Sequence, residues 1–277
     1  MIKLVTDSAS QIPVDLACRL DVEVVPVVVS VDGIDYREGV DLHADQFWDC
    51  FTDGMPDVVT SQPSPGDIAV VYERAVAEGA DEIVSIHVGA EHSGTFNSAR
   101  LAAARVGVPV HLVDSGTASF GVTCCVWEAA AALAAGASGY EAAERARATA
   151  PTVGTTFIIQ ALEFARRGGR LASRLSEDHD GVMVLGGMGG AVDVLATGHT
   201  VDELCDQMVA PFLADGRPIR AGVSLADPAT AVFADGIEAR LRDSAVDVDL
   251  VRYRVGPSIA AHTGPGTAGG FWYPITE

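Results

Sequence analysis

The sequence predicts a two-domain α/β protein, with an N-terminal α/β/α domain on a parallel sheet at residues 1–150 and a C-terminal α+β domain with a mixed or antiparallel sheet at 151–277. Three observations carry this reading. In the first half, short β-branched runs alternate with helical patterns, as expected for parallel strands joined by right-handed crossovers. Pro151 follows a helical run, and helices rarely continue into a proline. Beyond it, hairpin and crossover signals mix, which favours a sheet with antiparallel pairs.

The elements follow in order. Residues 2–6 are apolar and β-rich, 14–20 read as a short helix, and 22–31 form a long β-branched run interrupted by Pro26. Ser64 and Pro65 open a helix over 66–78, as capping residue and first helical position. A strand at 83–88 leads into a helix at 96–106, a strand at 108–113 and helices near 119–135 and 139–149. The second half offers a strand at 155–158, a helix at 160–167, and two β-rich segments at 182–185 and 192–195 separated by GGMGG. A helix at 201–213, a strand at 220–225, a helix at 229–243 and a strand at 246–251 complete the alternation.

Composition removes several function classes. The net charge of −20 repels nucleic-acid phosphates and anionic lipid surfaces, so neither is an expected partner. Lys3 is the sole lysine beside seventeen arginines, a bias that genome composition and a high-salt cytoplasm explain equally. Five cysteines without a CxxC pair, two of them in an apolar helical run, indicate small buried hydrophobes rather than a redox or metal centre. No histidine pair has metal-ligand spacing. The start MIKLVTDS lacks the regions of a signal peptide, and no segment has the apolar length of a membrane span. A cytoplasmic protein without stable membrane insertion, metal or cofactor is expected.

The residues that could carry chemistry gather at strand ends, where open parallel sheets bind ligands. The run HSGTFNSA at 92–99 follows a strand and opens a helix, which places Ser93, Gly94 and Thr95 where backbone N–H groups, the helix dipole and two hydroxyls stabilise an anionic oxygen. Ser93 as an ordinary helix cap is the plain alternative. Thr60 and Ser61, in the polar loop TSQPSP, are candidates to donate to the same anion. His262 lies in AAHTGPGTAGG, beside glycines that let backbone approach a ligand, although the frame of a nucleotide loop is missing. His92, next to the proposed site, is expected to point to solvent. Asp7 and Asp114 end strands, and with Ser93 and His262 they permit a serine-hydrolase reading; more often such aspartates cap a turn, and the G-x-S-x-G elbow is absent. Arg166, Arg167 and Arg170 bracket Gly168 and Gly169 at a helix end, where cations oppose the dipole; Arg170, past the glycines, is less well explained that way.

Taken in order, VTDSAS, TSQPSP, HSGTFNSA, VDSGTASFG, RRGGRLAS and GPSIAAHTGPGTAGG resemble the DegV family over nearly the whole chain. The resemblance implies a two-domain fatty-acid-binding protein, with the acyl chain in a tunnel and the carboxylate near the domain interface. It further implies a carrier subunit, not itself the enzyme, that presents its fatty acid to a kinase for conversion to acyl-phosphate. Carried over by motif, Thr60 and Ser93 would bond the carboxylate with Ser61, the Gly94 backbone and His262 nearby, and Arg170 would meet the kinase. The chain departs from the family between Arg174 and Arg217, where a Lys-Pro pair and a basic run are usual and this sequence has no lysine or arginine. His92 replaces an apolar residue, and Phe96 and Asn97 replace Tyr and Gln. Against the carrier stand two other readings, a small Ser93-dependent esterase and a phosphate-binding module.

Overall fold

The computed structural model describes residues 1–52, 54–169 and 180–275, and the chain divides into two compact units. The first comprises residues 1–42 and 56–151. The second takes residues 43–55 together with the chain from Thr152 onward.

The first unit holds two sheets. Strand β1 (Ile2–Asp7) is followed by helix α1 (Val14–Arg19) and strands β2 (Val22–Val25), β3 (Val28–Val31) and β4 (Ile34–Arg37). Helix α2 (Ala44–Asp49) belongs to the second unit. The chain then returns through β5 (Val58–Ser61), α3 (Pro65–Ala77), β6 (Glu82–His87), α4 (Thr95–Ala103), β7 (Val110–Asp114), α5 (Phe120–Ala134) and α6 (Gly139–Thr149). One sheet has the order β2-β1-β6-β7, and every pair in it is parallel. Val5 and Ile83 face Ile68, Tyr72 and Ala99 of α3 and α4. Leu4, Val84 and Ile86, of the other parity, are buried as well. Both faces are therefore covered, as a parallel sheet requires, and α5 and α6 also pack on this sheet. The anticipated α/β/α arrangement is present.

The run at 22–31 is two strands, not one. Proline lacks the N–H that a ladder needs, and the chain breaks at Pro26: β2 joins the parallel sheet, whereas β3 is the centre of an antiparallel sheet with order β4-β3-β5. At the break the Val27 N–H donates to Ser8 Oγ at 2.9 Å.

In the second unit β8 (Gly154–Ile158), α7 (Leu162–Gly168), β9 (Val182–Met188), β10 (Asp193–Gly198), α8 (Val201–Leu213), β11 (Ile219–Leu225), α9 (Ala231–Asp243), β12 (Val248–Arg254), α10 (Pro257–Thr263) and β13 (Ala268–Pro274) follow in sequence. The sheet order is β10-β9-β8-β13-β11-β12, antiparallel throughout except for the parallel β11–β12 pair. This is the mixed sheet the sequence predicts. Met208, Phe212, Ile237 and Trp272 lie in the core that α8 and α9 form on it. Helix α2 is anchored in this unit by Trp48 Nε1, which donates to the Val255 carbonyl at 3.1 Å, and by Phe51, whose ring lies 5.8 Å from that of Phe164.

The glycine-rich tail is not an extended loop. It folds as helix α10, a turn and β13, which lies between β8 and β11 in the sheet.

Candidate functional site

Strand β6 delivers the chain to a turn at the carboxyl edge of the parallel sheet, and helix α4 leaves from it. Hydrogen bonds to main chain fix the turn: Gly89 N–H donates to the Thr117 carbonyl at 2.8 Å, Ser93 N–H to the Gly89 carbonyl at 3.1 Å, and Ala90 N–H to Asp114 Oδ1 at 3.1 Å. Asp114 also accepts from Gly116 N–H, and Asp7 accepts from Ala9 and Val88 N–H, each at 3.1 Å. Both strand-end aspartates thus act on main-chain donors, as such aspartates most often do.

At the helix start Ser93 Oγ and Thr95 Oγ1 are 2.8 Å apart, and Thr95 N–H donates to Ser93 Oγ at 3.3 Å. Gly94, not Ser93, stands at the capping position and offers no side-chain cap. The first helical amides consequently keep unused donors: Ser98 N–H reaches the Gly94 carbonyl at 3.0 Å, whereas the N–H groups of Phe96 and Asn97 meet no acceptor among the described residues. Ser93 and Gly94 are half-buried, and Thr95 is buried. A hydroxyl pair beside two unpaired N–H groups, at the positive end of a helix, complements an anionic oxygen.

The segment TSQPSP comes to the same place. Thr60 and Ser61 finish β5 instead of lying in a loop, with Thr60 opposite Val29 of β3. Ser64 caps α3 together with Asp67, and Pro65 is its first helical residue, as expected. Between them, Gln62 lies across Gly94. A Cβ at position 94 would overlap Gln62 Oε1 and Cδ, so any larger residue there would have to displace that side chain. Gln62 Nε2 donates to Ser98 Oγ at 3.3 Å on α4. Gln62 was not among the candidates read from the sequence; its position inside the TSQPSP island is the signal that could have found it. His92 is half-buried, and its N–H donates to the Gly89 carbonyl at 2.9 Å.

In the second unit His262 sits half-buried in the last turn of α10, with Gly264 closing the helix at φ +71°. The turn beyond it is held by Asp227 Oδ2, which accepts from Gly266 N–H at 2.7 Å, and by Thr267 Oγ1, which donates to the Gly264 carbonyl at 3.0 Å. Arg166 and Arg167 occupy the last turn of α7, with left-handed Gly169 as its cap, the helix-end role foreseen for them. Arg170 lies outside the described residues. Among the described residues no group of three His, Cys, Asp or Glu side chains could hold a metal ion, and no helix is long and apolar enough to cross a membrane.

Comparison with known proteins agrees with this architecture. The DegV family model, described as "Uncharacterised protein, DegV family", matches residues 1–275. A DegV domain-containing protein of Streptomyces coelicolor is 32% identical over 275 residues, covering 97% of this chain and 96% of the relative. Among solved structures, a DegV family protein from Thermus thermophilus, described by its fatty acid binding, is 33% identical with a TM-score of 0.87 over 99% of both chains. DegV of Bacillus subtilis, described as a fatty acid binding protein, shares the fold at 24% identity, with a TM-score of 0.85 over 99% of both chains.

Proposed function

The chain belongs to the DegV family, and from that premise we propose that it is a fatty-acid carrier without catalytic turnover. The acyl chain supplies most of the affinity, at about 0.8 kcal/mol for each methylene removed from water. The head group supplies the selection. In this reading the carboxylate is held by Ser93, the Gly94 backbone and Thr95, with Thr60 and Ser61 at the end of β5 as the second set of donors. One observation carries it: the Ser93–Thr95 hydroxyl pair, 2.8 Å across, stands next to the unpaired N–H groups of Phe96 and Asn97. The fatty acid binding described for the Thermus thermophilus protein supports the choice of anion.

A serine hydrolase fits less well. Ser93 Oγ is engaged with Thr95, whereas an activated serine needs a general base within hydrogen-bond reach. The proposal extends to presentation of the bound acid to a fatty acid kinase, with Arg170 as the docking residue. The lack of lysine and arginine between Arg174 and Arg217 means that such a partner would engage a less basic surface than is usual in the family.

Mass spectrometry of the lipid extracted from freshly purified protein tests the carrier reading. Stoichiometric fatty acid in the wild type, depleted in a Thr60→Ala, Ser93→Ala double variant, is the expected result. An empty wild type that takes up no added fatty acid would overturn it.

A further inference from the structure

Under the turn that carries Ser93 runs a chain of enclosed polar side chains. Ser85 and His87 are two residues apart on β6 and so share one face. Strand β1 runs alongside with Val5 opposite Ser85, which brings Asp7 next to His87. Tyr72, on α3, donates its hydroxyl to Ser85 Oγ at 2.8 Å. Ser85 Oγ meets His87 Nε2 at 2.8 Å, and His87 Nδ1 meets Asp7 Oδ2 at 2.9 Å. All four residues are fully buried.

The hydrogens can be placed by counting donors. Burial pushes the Tyr72 phenol up to about 12, so it keeps its proton. Asp7 accepts at both oxygens, from Ala9 N–H on one and from Val88 N–H and His87 on the other. The imidazole therefore carries its hydrogen on Nδ1 and accepts the Ser85 proton at Nε2, an arrangement that gives every polar atom a partner. The order serine, histidine, aspartate is that of a hydrolytic triad. Yet Ser85 has no exposed surface and already accepts from Tyr72, so no substrate reaches it.

A set like this is an expensive way to fill space. Apolar side chains of similar volume commonly serve stability as well as a buried ionic group does, whereas a satisfied polar network fixes positions. What Asp7 fixes is Val88, the first residue of the turn, while Asp114 holds Ala90 two residues on. Two carboxylates thereby set the path of the backbone that ends at Ser93 and Thr95.

We infer that Asp7 and His87 are positioning residues for the head-group site: by holding the start of the turn they keep the Ser93 and Thr95 hydroxyls and the free α4 amides aimed at one point, and so determine preference for a carboxylate over an uncharged head group. The inference rests on the fatty-acid reading above. It is tested by comparing affinities for hexadecanoate and hexadecanol, ligands of equal chain length, in the wild type and in the Asp7→Asn, Tyr72→Phe and Ser85→Ala variants.

The wild type should prefer the acid. Asp7→Asn should reduce that preference about tenfold or more, through weaker acid binding with alcohol binding unchanged. Tyr72→Phe and Ser85→Ala, which leave the Asp7–Val88 bond in place, should shift the ratio in the same direction by less. A role in stability alone would weaken both ligands together and leave the ratio as it was. An unchanged ratio in Asp7→Asn, or in both other variants if that protein does not fold, overturns the inference while the fatty-acid reading stands. A wild type that binds neither ligand, or both alike, removes the head-group reading and this inference with it.

Discussion

In the first unit ionisable side chains are enclosed at one edge of the parallel sheet, where Asp7 and His87 have no exposed surface. In the second unit the space between the sheet and α8 and α9 is filled by Met208, Phe212, Ile237 and Trp272, and Arg240 makes its ion pairs with the exposed Asp202 and Asp206. The difference separates two uses of burial. Apolar filling of the second unit stabilises through area and packing, which are indifferent to direction. Polar enclosure in the first unit is directional, and its hydrogen bonds end on the backbone of the turn that leads to Ser93 and Thr95.

The most damaging substitution should therefore be an apolar one in the second unit. Phe212 is 2% exposed and stacks on Trp272 with ring centroids 4.2 Å apart. Phe212→Ala should lower the unfolding free energy by about 3–5 kcal/mol, through the apolar burial lost and the cavity left behind. Urea unfolding followed by tryptophan fluorescence measures it. A loss below about 1 kcal/mol would mean that the core collapses around the gap, and the contrast between the units would lose its basis.

A smaller effect belongs to the enclosed polar chain of the first unit. Tyr72 ordinarily ionises near 10.0 and is pushed up to about 12, chiefly by burial. The folded state thus holds the proton more tightly than the unfolded chain. Its stabilising contribution is complete below pH 10 and is lost as the pH rises toward 12. An interval of that width corresponds to about 2–3 kcal/mol. Tyr72→Phe should flatten this part of the alkaline stability profile. An identical profile in the variant would show that other groups cause the loss.

How much of this was legible beforehand depends on whether the signal is local. Strands β1, β6 and β7 stand out as short apolar runs, and Ser64–Pro65 announces α3 by capping chemistry alone. Strand β13 does not stand out, because Gly269 and Gly270 erase the β signal. Those glycines are required by distant neighbours: a Cβ at either would strike the Thr156 or Gly222 carbonyl of an adjoining strand. Helix α2 is six residues long and takes its place from Trp48 and Phe51, whose partners lie more than a hundred residues away. In the site, Ser93 and Thr60 could be picked from their islands, whereas the Asp7–His87 contact depends on pairing β1 with β6 across 80 residues. A sequence read along its length shows the hydroxyls but not what aims them.

The smallest expected effect lies at the surface of the second unit and tests the other side of the comparison. Arg240 is paired with the exposed Asp202 and Asp206, so one guanidinium serves two acids. Exposed pairs of this kind contribute roughly 0–1 kcal/mol. Arg240→Ala should cost no more than that at moderate salt. The cost should grow as salt is lowered, because the lost cation also leaves two carboxylates unscreened in a chain of net charge −20. Added salt weakens the individual pairs and the overall repulsion alike. With 38 acidic against 18 basic residues the repulsion outweighs the pairs, so the melting temperature of the wild type should rise with salt while the gap between it and Arg240→Ala narrows. A melting temperature that falls with salt would reverse this ranking. Local ion pairs would then prevail over the net charge, and the charged exterior of the second unit would be as directional as the enclosed edge of the first.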